Sequence, residues 1–228
     1  LSGKKAKLVT SISMFYDLEN PVEFAKTVEK ILADDGVWHL EQSYMPSMLK
    51  NISYDTICHE HLEYYSLKSI NYILKQAKLK IIDASLNSVN GGSFAITVCK
   101  KNLKIKANES VLTWMKNEEN KLRLNNIKTY LNFYNNVKKQ SKTLKNLLIS
   151  LKKNKKKVIG YGASTKGNVI LQYTKINQNL LPFIVDVNKF KYNRFTPGTN
   201  IKIVNEKKIN KLKPDYLLVL PWHFKDFI

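Results

Sequence analysis

Cysteine is scarce in this chain: only Cys58 and Cys99 occur among 228 residues. They lack Cys-x-x-Cys spacing, which excludes a disulfide framework and an all-cysteine zinc site within these residues. No apolar run approaches the roughly 18 residues of a membrane span, and the first residues lack the charged and apolar regions of a signal peptide. We therefore expect a cytoplasmic protein with both thiols reduced.

Acidic residues are also few. The chain has 18 of them against 38 Lys and Arg, a formal charge of +20. Abundant Asn, Lys and Ile indicate a general compositional bias that explains much of this excess, so a nucleic-acid partner is an alternative rather than a conclusion. One dense basic run stands where a helix is expected to end, and it is either a solvated helix terminus or a phosphate-binding patch. Its members are Lys152, Lys153, Lys155, Lys156 and Lys157.

The first part of the chain alternates strands and helices. Asn20 and Pro21 form a cap and first turn, and apolar residues at helical spacing continue to a stop at Asp34-Asp35-Gly36. A second helix is predicted over 67–77. Strands are predicted over 7–14, 37–41, 79–83 and 93–99, with the last two close enough in sequence to form an antiparallel pair. This order predicts the second half of an α/β sheet.

Residues 108–153 show helical periodicity and predict one or two long helices packed on the flanking parts, with a coiled-coil arm as the alternative. A second α/β unit follows. Its strands are predicted over 158–161, 183–185, 201–204 and 216–220, with a helix beginning near 224. Because the chain starts at an internal-looking strand and stops at a helix start, we expect a fragment of a larger protein.

The turn from Gly160 to Asn168 holds three of the eight glycines and joins a strand to a helix. It matches neither a Walker loop nor Gly-x-Gly-x-x-Gly, yet small residues at a helix N-terminus favour anion or nucleotide contact. A merely tight turn is the alternative. Lys166 is the residue we expect to meet a phosphate. Asp186 lies where dinucleotide folds place an acid on a ribose, which leaves an NAD(P)-dependent oxidoreductase as a second hypothesis.

The segment from Tyr54 to Tyr65 has the greatest density of proton-transferring groups in the chain, including two of its four histidines. Imidazole titrates near neutral pH and a carboxylate can fix its tautomer, so the cluster favours general base catalysis. A metal site at His59 and His61 is the competing hypothesis, although their spacing is not His-Glu-x-x-His; a surface loop is the third. His39 is expected in the core or at its rim, and so is His223, although His223 follows a strand end.

Seven motifs along the chain resemble the S-adenosylmethionine-dependent C-methyltransferases of nucleotide-linked deoxysugars. They occur in the family's order and cover nearly the whole chain apart from its helical middle. The motifs are Ser13–Pro21, Leu40–Pro46, Thr56–Tyr65, Val89–Phe94, Gly160–Asn168, Phe195–Thr199 and Pro221–Phe224.

The resemblance implies three parts: a cysteine-rich zinc domain, a Rossmann-type methyltransferase domain and a C-terminal α/β domain. The zinc cysteines and the first glycine loop, which grips most of the S-adenosylmethionine, have no counterpart in these residues, so zinc is expected only upstream and no metal here. We expect an α/β chain with a partial class I methyltransferase domain over 1–105, a helical connection over 106–154 and a partial Rossmann-like domain over 155–228.

The resemblance also implies residue roles. His61 is the base, Glu60 is its neighbour and partner, and His59 and Tyr64 complete the catalytic group. Met14, Phe15 and Tyr16 are expected to line the cofactor pocket. The residues expected to contact the nucleotide-linked keto-deoxysugar are Asn90, Gly162, Ser164, Lys166, Asn168 and His223. We expect neither a membrane nor a nucleic acid as partner.

The implied reaction is consistent with these residues. A keto group acidifies the adjacent C–H, a base removes that proton, and the enolate attacks the sulfonium methyl group. Hydroxyls of Tyr64 or Tyr65 are candidates for stabilising the enolate oxygen.

Overall fold

A computed structural model describes residues 3–223, and the helix expected near 224 lies outside the described residues. The chain divides into two compact units. The first comprises residues 3–53 and 59–130, and the second comprises 54–58 and 131–223. The division after residue 130 falls within the segment that the sequence assigns to a helical connection.

The first unit is built on a four-stranded sheet in the order β1-β2-β4-β3. Strand β1 runs parallel to β2, whereas β4 is antiparallel to both of its neighbours. This confirms the α/β pattern and the predicted antiparallel pair. The strands are β1 (Ala6–Ile12), β2 (Leu32–Ser43), β3 (Leu79–Asn87) and β4 (Ser93–Lys100).

Helices α1 and α3 confirm the predicted helix starts. The Asn20 side chain accepts a hydrogen bond from the backbone N–H of Glu23, and Pro21 occupies the first turn. Ser66 and Ser69 form a reciprocal cap at the start of α3. The helices of this unit are α1 (Pro21–Ile31), α2 (Met45–Asn51), α3 (Leu67–Gln76) and α4 (Glu109–Leu122).

Two local predictions are wrong. Helix α1 ends at Ile31, and the segment Asp34-Asp35-Gly36 belongs to β2 instead of terminating the helix. Gly36 lies where the pairing of β1 and β2 shifts register, and a Cβ there would stand 2.6 Å from the carbonyl oxygen of Ala6. Gly36 therefore permits the two strands to approach closely. In the sequence alone, the same glycine resembles a helix stop signal. The second error is an omission, because α2 occupies a segment for which no helix was predicted.

The core of the first unit lies between the sheet and its helices, and Trp38, Leu40 and Phe15 are among its fully buried side chains. A buried carboxylate links two helices to this core. Glu119 of α4 is 4% exposed and accepts hydrogen bonds from the Tyr44 hydroxyl at 2.8 Å and from the backbone N–H groups of Leu67 and Lys68 at 2.6 and 3.1 Å. It thus caps the N-terminus of α3 from another helix.

The second unit holds four parallel strands in the order β7-β6-β5-β8. The predicted strands are all present within one or two residues of their expected bounds. The elements are α5 (Ile127–Lys153, shared with the first unit at its start), β5 (Val158–Tyr161), α6 (Thr165–Thr174), β6 (Phe183–Asp186), β7 (Lys202–Asn205), α7 (Ile209–Leu212) and β8 (Tyr216–Val219).

Helix α5 packs on the second sheet. Leu144, Leu148 and Leu151 belong to the core cluster that surrounds Ile184 and Leu171, which favours the predicted packing helix over a coiled-coil arm. Among the described residues, no helix combines the length and the apolarity needed to cross a membrane.

Removing the Glu119 carboxylate tests its structural role. We expect Glu119→Ala to lower the free energy of unfolding by about 3 kcal/mol, because the change leaves the buried Tyr44 hydroxyl and two helix N–H groups without their acceptor. The neighbouring Glu118→Ala variant is the control, since Glu118 pairs at the surface with Lys50 and Lys121 and its loss should be much smaller. Urea unfolding measures both, and equal losses would contradict the capping role.

Candidate active site

The carboxyl end of β1 carries the residues expected near the cofactor. Ser13 has a left-handed backbone (φ 52°), and its N–H donates to the carbonyl of Glu41 at 2.8 Å. The chain then turns through a short 3-10 helix over Phe15–Asp17. Phe15 is 1% exposed and packs against Trp38 at 5.6 Å between ring centroids, so its side chain serves the core. Met14 is half-buried and Tyr16 is buried.

The segment that carries His61 is attached to this turn. The backbone N–H groups of Leu62 and Glu63 both donate to the carbonyl of Tyr16, at 3.0 and 3.1 Å. The Tyr16 and His61 rings lie 4.2 Å apart between centroids, with planes tilted by 49°. The half-buried imidazole is therefore held at the carboxyl end of β1, where α/β sheets place their chemistry.

One acidic group, Asp17, interacts electrostatically with the imidazole of His61. Burial raises the pKa of Asp17, the positive charge of His61 opposes that rise, and the charge of Glu60 adds to it. Glu60 Oε1 lies 3.9 Å from His59 Nε2, and both of these side chains are exposed. The predicted pairing of Glu60 with His61 stays a prediction.

Of the two tyrosines considered for the enolate oxygen, only Tyr64 is partly accessible. Tyr65 is 3% exposed, and its ring packs 5.4 Å from that of Phe15. Burial, with a contribution from Glu63, raises the pKa of Tyr65 well above its usual range. Tyr65 is thus a core residue, and Tyr64 is the better candidate.

A polar cluster joins the turn before β4 to the ends of β1 and β2. Asn90 Nδ2 donates to Ser13 Oγ at 3.3 Å, and Asn87 Nδ2 donates to Glu41 Oε2 at 3.0 Å. Asn90 has a left-handed backbone (φ 54°) that brings its amide to this edge. Sequence reasoning assigned no role to Glu41, although it stands at the end of a predicted strand inside one of the family motifs.

The glycine-rich turn of the second unit follows β5. Ser164 caps α6 by accepting a hydrogen bond from the Gly167 N–H at 3.0 Å. Each glycine permits a close contact: an added Cβ would lie 2.7 Å from Ile184 at Gly160, from Pro221 at Gly162 and from Leu220 at Gly167. The three glycines are therefore explained by the packing of β5 and α6 against neighbouring strands. Anion contact at this turn stays a prediction.

The carboxylate of Asp186 holds the glycine-rich turn by accepting backbone hydrogen bonds. Its Oδ2 accepts from the Ala163 N–H at 2.8 Å and its Oδ1 from the Asn188 N–H at 2.7 Å. Lys191 Nζ contacts the same carboxylate at 3.3 Å and the Ala163 carbonyl at 2.8 Å. Because both oxygens already accept backbone hydrogen bonds, the ribose-binding role required by the oxidoreductase hypothesis is not favoured.

Lys166 and His223 follow the two strands at which the strand order of the second sheet reverses, β5 and β8. Strand β5 is flanked by β6 on one side and β8 on the other, and open α/β sheets bind ligands at such a switch point. Lys166 stands in the first turn of α6, and His223 follows β8; both side chains are half-buried. Asn168, also in α6, is half-buried, with its Oδ1 atom inaccessible.

Asp55 is a residue at this switch point that sequence reasoning missed. It is 2% exposed, and its Oδ2 accepts a hydrogen bond from Trp222 Nε1 at 2.8 Å. Asp55 belongs to the five-residue segment 54–58 of the second unit, distant in sequence from the rest of that unit. The available signal was an acidic residue among the tyrosines and histidines of the segment Tyr54–Tyr65. Nothing near it in the sequence indicated its partner, Trp222.

The basic run at the end of α5 is largely used within the second unit. Lys152 Nζ donates to the Asn179 carbonyl at 2.7 Å, Lys156 Nζ lies 3.1 Å from Asp215, and Lys157 Nζ donates to the Leu212 carbonyl at 2.5 Å. Helix α5 ends at Lys153, as predicted. These contacts favour a helix terminus over a phosphate-binding patch. No group of three His, Cys, Asp or Glu side chains within residues 3–223 is arranged to hold a metal ion.

Two family models and one curated relative that match this chain are all described as methyltransferases. Residues 88–228 match the family model described as a C-methyltransferase C-terminal domain, and residues 2–84 match a methyltransferase domain. The chain is 28% identical over 219 residues to C-methyltransferase NovU of Streptomyces niveus, covering 96% of this chain and 52% of that protein. It thus spans about half the length of the curated relative that it matches.

Two solved structures show low similarity to parts of this chain. An S-adenosylmethionine-dependent methyltransferase from Clostridium acetobutylicum ATCC 824 matches with a TM-score of 0.34 and 14% identity, over 43% of this chain and 59% of that one. Magnesium protoporphyrin IX methyltransferase from Synechocystis PCC 6803 matches with a TM-score of 0.34 and 14% identity, over 43% and 46%.

Substitution of Gly162 tests the packing explanation of the glycine-rich turn. Gly162→Ala should destabilise the second unit by about 2 to 4 kcal/mol, because it combines a left-handed backbone (φ 79°) with a clash against Pro221. Gly198→Ala is the matched control, because Gly198 belongs to the same unit and has a similar φ of 71°, while its added Cβ would first meet the flexible Gln172 side chain at 3.2 Å. Hydrogen exchange at the Ile159 and Val185 amides reports the difference, and comparable effects of the two variants would contradict the explanation.

Proposed function

The chain belongs to the C-methyltransferase family, and we propose that it carries the base and the nucleotide-binding part of an enzyme that methylates a carbon next to the keto group of a nucleotide-linked deoxysugar. The observation that carries this proposal is the position of His61 against Tyr16 at the carboxyl end of β1. The proposal concerns the whole enzyme, of which this chain spans about half the length of its relative.

His61 is the general base in this proposal. A keto group lowers the pKa of the neighbouring C–H, and a neutral imidazole within about 3 Å can remove that proton. The Tyr16 ring limits the orientations of the imidazole, while Asp17 and Glu60 provide negative charge that favours the imidazolium formed on proton transfer. The proton thus moves from carbon to a ring nitrogen of His61, and the electron pair moves to the keto oxygen.

The enolate oxygen requires a hydrogen-bond donor. Tyr64 is our candidate, because it is partly accessible and lies three residues from His61, whereas the hydroxyl of Tyr65 is enclosed in the core. A donor aimed at a developing oxyanion in a water-poor site contributes a few kcal/mol to catalysis.

The fit of S-adenosylmethionine to this chain rests on the turn after β1. Met14 offers a half-buried apolar side chain there, whereas Phe15 and Tyr16 turn their rings into the chain's own packing. Met14 would thus contact the cofactor directly, with Phe15 and Tyr16 shaping the backbone beneath it. When bound, S-adenosylmethionine supplies the electrophilic methyl group that the enolate carbon takes.

The second unit would hold the nucleotide. Its switch point carries Lys166 and His223, two groups suited to a diphosphate, beside the capped start of α6. Ser164 serves as that cap, and Gly162 allows Pro221 to approach the turn. On the first unit, Asn90 is proposed to make a polar contact to the sugar.

Replacement of His61 tests the assigned base. With a polypeptide supplied that contains the upstream half of the family's length, His61→Ala should lower the rate of methyl transfer to a nucleotide-linked 4-keto-deoxysugar by about 10²- to 10⁴-fold. The control is His39→Gln, because His39 lies in β2 and pairs with Thr97 at 3.2 Å. Product formation is followed by mass spectrometry. Near-normal transfer by the His61→Ala enzyme would remove the base from the proposal.

A further inference from the structure

A short segment of the chain completes the switch point of the second unit. Residues 54–58 belong to this unit although the rest of it begins at residue 131. The segment packs against α6, with the Tyr54 ring 5.3 Å from that of Tyr173. Its Asp55 carboxylate holds the Trp222 indole at 2.8 Å. The segment thus contacts both the helix that follows β5 and the residues that follow β8.

The charge of Asp55 affects the pKa of both cationic groups at the switch point, Lys166 and His223. Burial lowers the pKa of Lys166, and the charges of Asp55 and Cys58 oppose that change. Burial also lowers the pKa of His223, Lys166 lowers it further, and Asp55 opposes both effects. The groups that face Lys166 are therefore Asp55 and Cys58 from the 54–58 segment and His223 from the end of β8.

We propose that Asp55 is the positioning residue of the anion site, fixing Trp222 by a hydrogen bond and serving as the buried counter-ion that keeps Lys166 charged and in place. The anion is the diphosphate of a nucleotide, a part of the inference that rests on the proposed function. A carboxylate that is 2% exposed is costly to bury without charged or hydrogen-bonding partners, and Trp222 provides only one hydrogen bond. The ammonium group of Lys166, on the helix against which the segment 54–58 packs, would provide the compensating charge.

The counter-ion role also explains why two cationic groups can share one switch point. Lys166 and His223 repel each other when both are charged. This repulsion disfavours the state in which both groups carry the positive charges that a doubly charged anion would need. The buried carboxylate of Asp55 offsets this repulsion. Asp55 is not expected to touch the ligand, so it acts through Lys166.

The first experiment needs no ligand. The pKa of the Lys166 amine is measured by NMR titration of lysine-labelled protein, and the signal is assigned by its absence in Lys166→Met. Asp55→Asn keeps an acceptor for Trp222 but removes the charge, so it should lower this pKa by about one unit. Glu206→Gln is the control, because Glu206 is a carboxylate of the same unit that acts on Tyr161. Asp55→Glu retains the charge and should restore most of the wild-type value.

The second experiment measures the binding of UDP to the same proteins by calorimetry across alkaline pH. UDP affinity should be lost about one pH unit earlier in Asp55→Asn than in wild type, and this difference should vanish in a Lys166→Met background. An unchanged far-UV circular dichroism spectrum verifies that each variant is folded.

The two experiments separate the two ideas. An unchanged Lys166 pKa in folded Asp55→Asn would overturn the positioning role. If wild type fails to bind UDP while Asp55→Asn still lowers the Lys166 pKa, the positioning role is upheld and the nucleotide part of the proposed function is overturned.

Discussion

Two backbone hydrogen bonds to a single carbonyl determine where the histidine-bearing segment of the first unit lies. Leu62 and Glu63 both donate to Tyr16, so the histidine-bearing segment is attached to the end of the parallel strand β1 rather than extending as a free loop. The left-handed Ser13 and the turn over Phe15–Asp17 place the Tyr16 carbonyl where it accepts both bonds. Backbone geometry thereby selects His61, and not the more exposed His59, for contact with Tyr16.

In the second unit, close packing fixes the position of a candidate site residue, Lys166. Gly162 lets the chain after β8 pass within contact distance of the turn after β5, while Asp186 holds that turn from the opposite side through the Ala163 and Asn188 N–H groups. These contacts fix the start of α6 and therefore the position of Lys166. A glycine-rich turn can thus be held in place by the close packing that its glycines permit.

The elements that follow local physical chemistry were predictable from sequence. The cap at Asn20 with Pro21, the strand-turn-helix at 158–174 and the antiparallel pair β3 and β4 depend on residues near one another in the chain. The end of α1 was not predictable, because Gly36 serves a strand contact with Ala6 that only the paired sheet creates. Helix α2 was missed because Pro46 in its first turn resembles a loop signal.

The site was predictable only in part for the same reason. The histidine cluster and the glycine-rich turn are contiguous in sequence, so their residue types indicated chemistry directly. Asp55 and Trp222 are 167 residues apart in the chain, and the contact of His61 with Tyr16 likewise joins separate motifs. No periodicity or spacing encodes such long-range pairs.

Proton exchange tests the central claim about His61 most directly, because it isolates removal of the proton from transfer of the methyl group. A nucleotide-linked 4-keto-deoxysugar is incubated in D₂O with the protein in the absence of S-adenosylmethionine, and NMR follows deuterium entering the carbon next to the ketone. Our account predicts that the wild-type chain accelerates this exchange and that His61→Ala abolishes the acceleration. Undiminished exchange in His61→Ala would contradict it.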